Sequence, residues 1–182
     1  MDLLIVTGMS GAGKTTALKA LEDIGFHCID NFPPSLFSSL MDLIQLEEKR
    51  EDKKIAITVD VRSAAMFSDL QAMLAYLDKQ AIRYRILFID ADPFVLLKRF
   101  KESRRSHPLM DTDVRTIEEA IEKEAQILEF LRGKNDFLID SSDMIARELK
   151  EQVIEKVGIG MHTEMVIHFV SFGFKHGILQ DA

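Results

Sequence analysis

The segment GMSGAGKT, Gly8 to Thr15, follows directly on the apolar run LLIVT. It fits the pattern G-x-x-x-x-G-K-[ST], and no other feature of the chain narrows the fold so far. Such a loop needs a buried strand before it and a helix after it. The glycines let the backbone curl until successive N–H groups face one anion, and the helix adds its positive N-terminal end. Both flanks are present. LLIVTG (3–8) reads as a buried strand, and the stretch from about Lys14 to Ile24 places Ala17, Leu18, Leu21 and Ile24 on one side before Gly25 stops it. Gly8, Met9, Ser10, Gly11, Ala12, Gly13, Lys14, Thr15 and Thr16 are then the expected nucleotide-contacting residues. Lys14 would reach the β- and γ-phosphates, and the Thr15 hydroxyl would ligate Mg²⁺.

The rest of the chain repeats the same alternation. FHCIDN (26–31) reads as a second strand, stopped by Pro33-Pro34; a helical pattern from 35 to 50 carries Leu36, Leu40, Leu43 and Ile44. IAITVDV (55–61) is a third strand, and 63–79 a helix with Met66, Leu70, Met73, Leu74 and Leu77 as its stripe. RILFIDA (85–91) is a fourth strand, followed by a helix from Asp92-Pro93 to about Ser103 and a long amphipathic helix over 111–134. DFLIDSS (136–142) is a fifth strand before a helix over about 143–157. Strands alternating with helices predict an α/β fold: a three-layer parallel sheet with phosphate-loop kinase-like topology and strand order 2-3-1-4-5. The predicted nucleotide-binding domain spans 1–157. Residues 158–182, with the hinge-like Gly158-Ile159-Gly160 and a strand-like 165–172, read as a hinge and the first strand of a C-terminal domain otherwise absent.

Asp30, Asp60, Asp90 and Asp140 each close a strand-like run. In a parallel sheet ligands sit beyond the carboxyl ends of the strands, so these carboxylates and the glycine loop are directed to one edge. Helix capping explains some of them, since Asp is favoured at strand–helix junctions. Mg²⁺ needs a carboxylate after an apolar run, and both IAITVD and ILFID supply one. With the third strand beside the first, Asp60 is the better choice and Asp90 the runner-up. Arg62 follows Asp60 and is a candidate phosphate or substrate contact. Asp30 and Asn31 are the candidate base and orienting residue for an acceptor hydroxyl.

A further charged run, KRFKESRRSHP (98–108), holds Lys98, Arg99, Lys101, Arg104 and Arg105. It has three readings: a plain charged helix face, a lid that brings Arg104 and Arg105 over the transferred phosphate, or a nucleic-acid backbone contact. Phe100 alone interleaves, so base stacking is poorly supported. His107, followed by Pro108, reads as a capping or packing residue. The net charge of −7 argues against coating nucleic acid by bulk charge. With 182 residues, 47 % apolar and 29 % charged, the chain is long enough for one domain with a substantial core. The single cysteine, Cys28, excludes an internal disulfide and reads as packing. No signal peptide and no apolar stretch near the ~20 residues that span a bilayer are visible, so a cytoplasmic protein without membrane contact is expected.

Taken in order, GMSGAGKTTALKALEDIGFHCIDNFPPSL, VDVR, LFIDADPFVLLKRFKESRRSHPL, FLIDSSD and SFGFKHG resemble the RapZ/YvcJ family of phosphate-loop nucleotide-binding proteins over essentially the whole chain. LEDIGFHCIDN and ESRRSHPL are the specific parts; the loop alone is not. The resemblance implies an N-terminal domain that binds and slowly hydrolyses ATP and GTP with Mg²⁺. Gly8 to Thr15 would be the ATP loop, and Asp60, Val61, Arg62 and Ser63 the segment assigned to GTP. It also implies a C-terminal domain beyond GFKHG, through which RNA or a protein partner is engaged; a homo-oligomer is a further option. Three functions follow: a nucleotide-binding regulator with weak ATPase/GTPase activity, a small-molecule kinase with an arginine-rich lid, and an RNA-binding adaptor with a nucleotide sensor. No N-K-x-D segment is present, which argues against strict guanine selectivity.

Overall fold

The structure is a computed structural model that describes residues 1–45, 53–60, 64–110 and 114–158. At its centre is β1 (Asp2–Gly8), flanked by β3 (Lys54–Thr58) and β4 (Tyr84–Asp90); β2 (His27–Ile29) and β5 (Phe137–Asp140) are the outer strands. All pairings are parallel and the order is β2-β3-β1-β4-β5, as predicted. Ile5 pairs with Ile57 on one side and Ile86 on the other. Consecutive residues Leu3, Leu4, Ile5 and Val6 are all at most 1 % exposed. Side chains alternate faces along a strand, so both faces of the sheet are covered. Each such side chain contributes about 1.5–3 kcal/mol by leaving water.

Seven helical segments join the strands among the described residues: α1 (Lys14–Asp23), a 3₁₀ turn (Pro34–Leu36), α2 (Phe37–Gln45), α3 (Ala64–Lys79), α4 (Pro93–Ser103), α5 (Ile117–Gly133) and α6 (Ala146–Gly158). α1 packs against α6, and α4 against α5. Asp92 caps α4 by accepting the Phe94 N–H at 2.8 Å, with Pro93 in the first turn.

Two expectations are corrected. The buried stripe of α2 is Phe37, Met41 and Ile44, while Leu36 and Leu43 are 54 % and 63 % exposed. The chain enters through the 3₁₀ turn, and this sets the helix so that the i, i+4, i+7 set of Phe37 faces the core. The helix after the basic run begins at Ile117 rather than near 111. Thr116 and Glu119 form a reciprocal capping box that fixes the start: Thr116 Oγ1 accepts the Glu119 N–H at 3.2 Å, and Glu119 Oε2 accepts the Thr116 N–H at 3.3 Å. The expected hinge beyond Gly158, the strand over 165–172 and the acidic 47–52 run lie outside the described residues. No helix among the described residues is long and apolar enough to cross a membrane.

Candidate functional site

The phosphate loop is shaped by what surrounds it. Gly8 has φ +133°, and a Cβ there would sit 2.0 Å from the Ile89 carbonyl oxygen of β4. That oxygen accepts the Met9 N–H at 3.0 Å, which turns the chain out of β1. Gly13, at φ +111°, starts α1 with no side-chain cap. The first-turn N–H groups of α1 are thereby left for an anion.

Lys14 folds back over this turn. Its Nζ donates to the Gly8 carbonyl at 2.8 Å and the Met9 carbonyl at 3.2 Å, and lies 3.0 Å from Asp60 Oδ1. The lysine side chain is 11 % exposed and the Asp60 side chain 21 %. Both border an open cavity of about 590 Å³ with Thr15, Gly13 and Arg105. Asp60, expected from the sequence as a Mg²⁺ carboxylate, stands two residues past the end of β3 and pairs with Lys14.

Asp90 stands elsewhere. It pairs with Arg132 at 2.9 Å and lines a separate cavity of about 620 Å³ between α4 and α5. Burial raises its pKa; Arg132 and the Ala91 N–H oppose that rise. Asp140 is held below the usual carboxylate range, first by the Ser142 hydroxyl and then by the Ser142 N–H. Asp30 is exposed, and its Oδ1 accepts the Thr58 hydroxyl at 2.5 Å. The same hydroxyl accepts the N–H of Asn31, whose φ is 51°. Neither Asp30 nor Asn31 borders the loop cavity. Val61, Arg62 and Ser63 lie outside the described residues.

The basic run divides. Lys98 faces Glu102 at 4.0 Å and Lys101 faces Glu118 at 3.8 Å, so both belong to the charged surface of α4. Arg99 turns inward: it donates to the Gly11 carbonyl at 3.2 Å and the Ser141 carbonyl at 2.7 Å. The buried Ser141 hydroxyl donates to the Ala12 carbonyl at 2.6 Å. Arg99 and Ser141 therefore clamp the middle of the loop from α4 and from the end of β5. Arg104 caps α4 in a left-handed conformation, φ 52°, and is exposed; Arg105 reaches the cavity rim. Of the five cations of the run, Arg99 is the one that turns inward.

Ser10 is held from behind. Its N–H donates to Glu124 Oε2 at 2.9 Å and its hydroxyl to Oε1 at 2.6 Å. His107 Nε2 lies 3.2 Å from the same carboxylate and its side chain is fully buried, so it packs as expected. The sequence reading passed over Glu124 and the inward role of Arg99. A signal for the first was available: Ala120, Ile121, Leu128 and Leu131 form the buried stripe of α5, and Glu124 interrupts it where an apolar residue belongs.

A family model described as the RapZ-like N-terminal domain matches residues 1–160. A nucleotide-binding protein of Moorella thermoacetica is 46 % identical over 182 residues, which is 99 % of this chain and 60 % of that protein. The chain thus spans about 60 % of the length of the curated relatives it matches. Among solved structures, the Deinococcus radiodurans tunicamycin resistance protein superposes with a TM-score of 0.58 at 16 % identity, covering 86 % of this chain and 95 % of that one. Shikimate kinase from Bacteroides thetaiotaomicron gives 0.58 at 14 % identity, covering 88 % and 98 %. At such identity the likeness establishes the fold: that of phosphate-loop kinases.

Proposed function

The chain belongs to the RapZ-like N-terminal domain family, and from that premise we propose that it is a nucleotide-responsive domain that binds ATP or GTP with Mg²⁺ on the Gly8–Thr16 loop and hydrolyses it slowly. The observation that carries this reading is the Lys14 ammonium, held by two loop carbonyls and Asp60 at the edge of an open cavity. In that position the lysine exchanges one counter-anion, Asp60, for the phosphates, at little reorganisation of the loop. The relatives' description as nucleotide-binding proteins supports the same reading.

The residues present suit Mg²⁺. Thr15 supplies a hydroxyl and Asp60 a carboxylate on one cavity, a sparse oxygen set that suits an ion retaining waters and phosphate oxygens. When bound, the ion would neutralise charge on the β- and γ-phosphates. Arg105 stands at the rim to meet charge on the transferred phosphoryl group, and Arg104 adjoins it. Val61, Arg62 and Ser63 keep their proposed part in GTP binding through the family resemblance.

Among the described residues, the kinase alternative finds less support. Asp30, its candidate base, is tied to Thr58 and stands apart from the loop cavity. RNA or protein recognition, self-association, and the reading of 158–182 as a hinge and the start of a C-terminal domain remain with the proposal. The family match, ending at residue 160, supports that last boundary. Phosphate release from ATP and from GTP, with and without a panel of sugars and nucleosides, tests the choice. Slow release independent of acceptor is expected; acceptor-dependent consumption would establish a kinase instead.

A further inference from the structure

A carboxylate buried directly behind an anion-binding loop is costly twice over. Glu124 is 3 % exposed, and removing a charge from water to that degree takes several kcal/mol unless donors replace the water. Its charge also repels any phosphate bound in front of it. Three donors compensate the first cost: the Ser10 N–H, the Ser10 hydroxyl and His107. His107 Nδ1 accepts the Leu109 N–H at 3.2 Å, so the ring proton sits on Nε2 and points at Glu124. Nothing in this network offsets the second cost, and an apolar residue completing the α5 stripe would avoid both.

The three donors come from two separate segments. Ser10 belongs to the phosphate loop, and His107 to the segment that leaves α4 and carries Arg105 to the cavity rim. A second contact joins the same segments. The His107 ring lies 4.9 Å from the Phe100 ring, and Phe100 in turn lies 3.4 Å from where a Cβ on Gly11 would be. The loop and the arginine-bearing segment therefore meet at one carboxylate and one ring.

We propose that Glu124 is a positioning residue: it fixes the loop at Ser10 and, through His107, locks the Arg105 segment to it, so that the loop and its lid are set as one unit for the nucleotide. This inference rests on the nucleotide-binding reading above. It explains why a charge is kept where it repels the ligand, since a loop already in its bound shape recovers more affinity than the repulsion removes.

The test separates positioning from packing. Glu124→Gln keeps the shape but leaves one of the three donors facing an amide. In Glu124→Met/His107→Phe apolar groups of similar volume replace the carboxylate and the ring, and the Ser10 N–H and hydroxyl and the Leu109 N–H lose these partners, each at a cost in stability. ADP and ATP binding to the 182-residue chain are measured by calorimetry below the melting temperature of each variant. Both variants, measured fully folded, are expected to lose at least about tenfold in affinity for both nucleotides, Glu124→Gln with the smaller fall in melting temperature. If the wild-type chain binds both nucleotides and the variants match it within about threefold, the positioning role is refuted and nucleotide binding stands. If the wild-type chain binds neither, both readings fall. Loss of affinity that only parallels loss of stability across the two variants also refutes the positioning role.

Discussion

Replacing Gly8 by alanine puts a methyl group 2.0 Å from the Ile89 carbonyl oxygen and 2.7 Å from its carbon and nitrogen. Real Cβ contacts essentially never fall below 3.0 Å, and the obstruction is strand backbone that cannot rotate away. Gly8 is the register partner of Ile89 at the centre of the sheet, so relief means parting β1 from β4 there. That movement breaks the bond from the N–H of Met9, itself 4 % exposed, to the Ile89 carbonyl, at about 1–3 kcal/mol. The φ of +133° adds about 1–3 kcal/mol of backbone strain for any residue with a side chain. The total is roughly 2–6 kcal/mol, a large share of the ~5–15 kcal/mol available to a domain. Gly25→Ala is the control: φ is +87°, yet nothing lies within 4 Å of the added carbon, so strain of ~1 kcal/mol acts alone. Urea and thermal unfolding followed by circular dichroism read both. A fall of roughly 10 °C in melting temperature is expected for Gly8→Ala. Equal losses in the two variants would refute the argument that the β4 backbone dictates glycine at this position.

Three further outcomes are expected. Thr58→Val removes the acceptor of the Asn31 N–H and the donor to Asp30, and should cost about 1–3 kcal/mol in urea unfolding despite its nearly unchanged shape. The Cys28 thiol is pushed from its ordinary 9.0 up to about 11, first by burial and then by Glu22. Its alkylation near pH 8 should therefore run roughly a hundredfold slower in the folded chain than in urea. Because the folded state retains that proton longer than the unfolded one, the contribution of Cys28 to stability falls as pH rises from 9.0 toward 11. Arg132→Ala removes the cation that opposes the burial-driven rise of Asp90. The folded carboxyl then favours its proton more strongly, so the loss, about 1 kcal/mol, should be larger near pH 7 than near pH 4.

The strand order was legible because each buried run of apolar residues was bounded by glycine, proline or aspartate, and because the loop fixes which strand is central. That order also places Asp60 beside the loop, where it pairs with Lys14. The α2 stripe was not: Leu36, Leu40 and Leu43 have helical spacing, but Phe37 and Met41 do as well, and only the entry through Pro34 decides between them. The 117 start of α5 was hidden because Asp111 and Asp113 look as much like a helix beginning as Thr116 does. Arg99 and Glu124 escaped for one reason. Charged residues on amphipathic helices read as solvated, and only the close approach of α4 and α5 to the loop converts them into inward contacts. Asp30, by contrast, was legible as a strand-end carboxylate, while its bond to Thr58 depends on the β2–β3 pairing.

The central claim is that the Gly8–Thr16 loop takes a nucleoside triphosphate through Lys14. Calorimetric titration of Mg·ATP and Mg·GTP into the wild-type chain and Lys14→Ala, each shown folded by circular dichroism, tests it most directly. Saturable binding to the wild-type chain is predicted, weakened about a hundredfold or more, some 2.7 kcal/mol, in the variant. Equal affinity in the two, or no binding to either, would contradict the account.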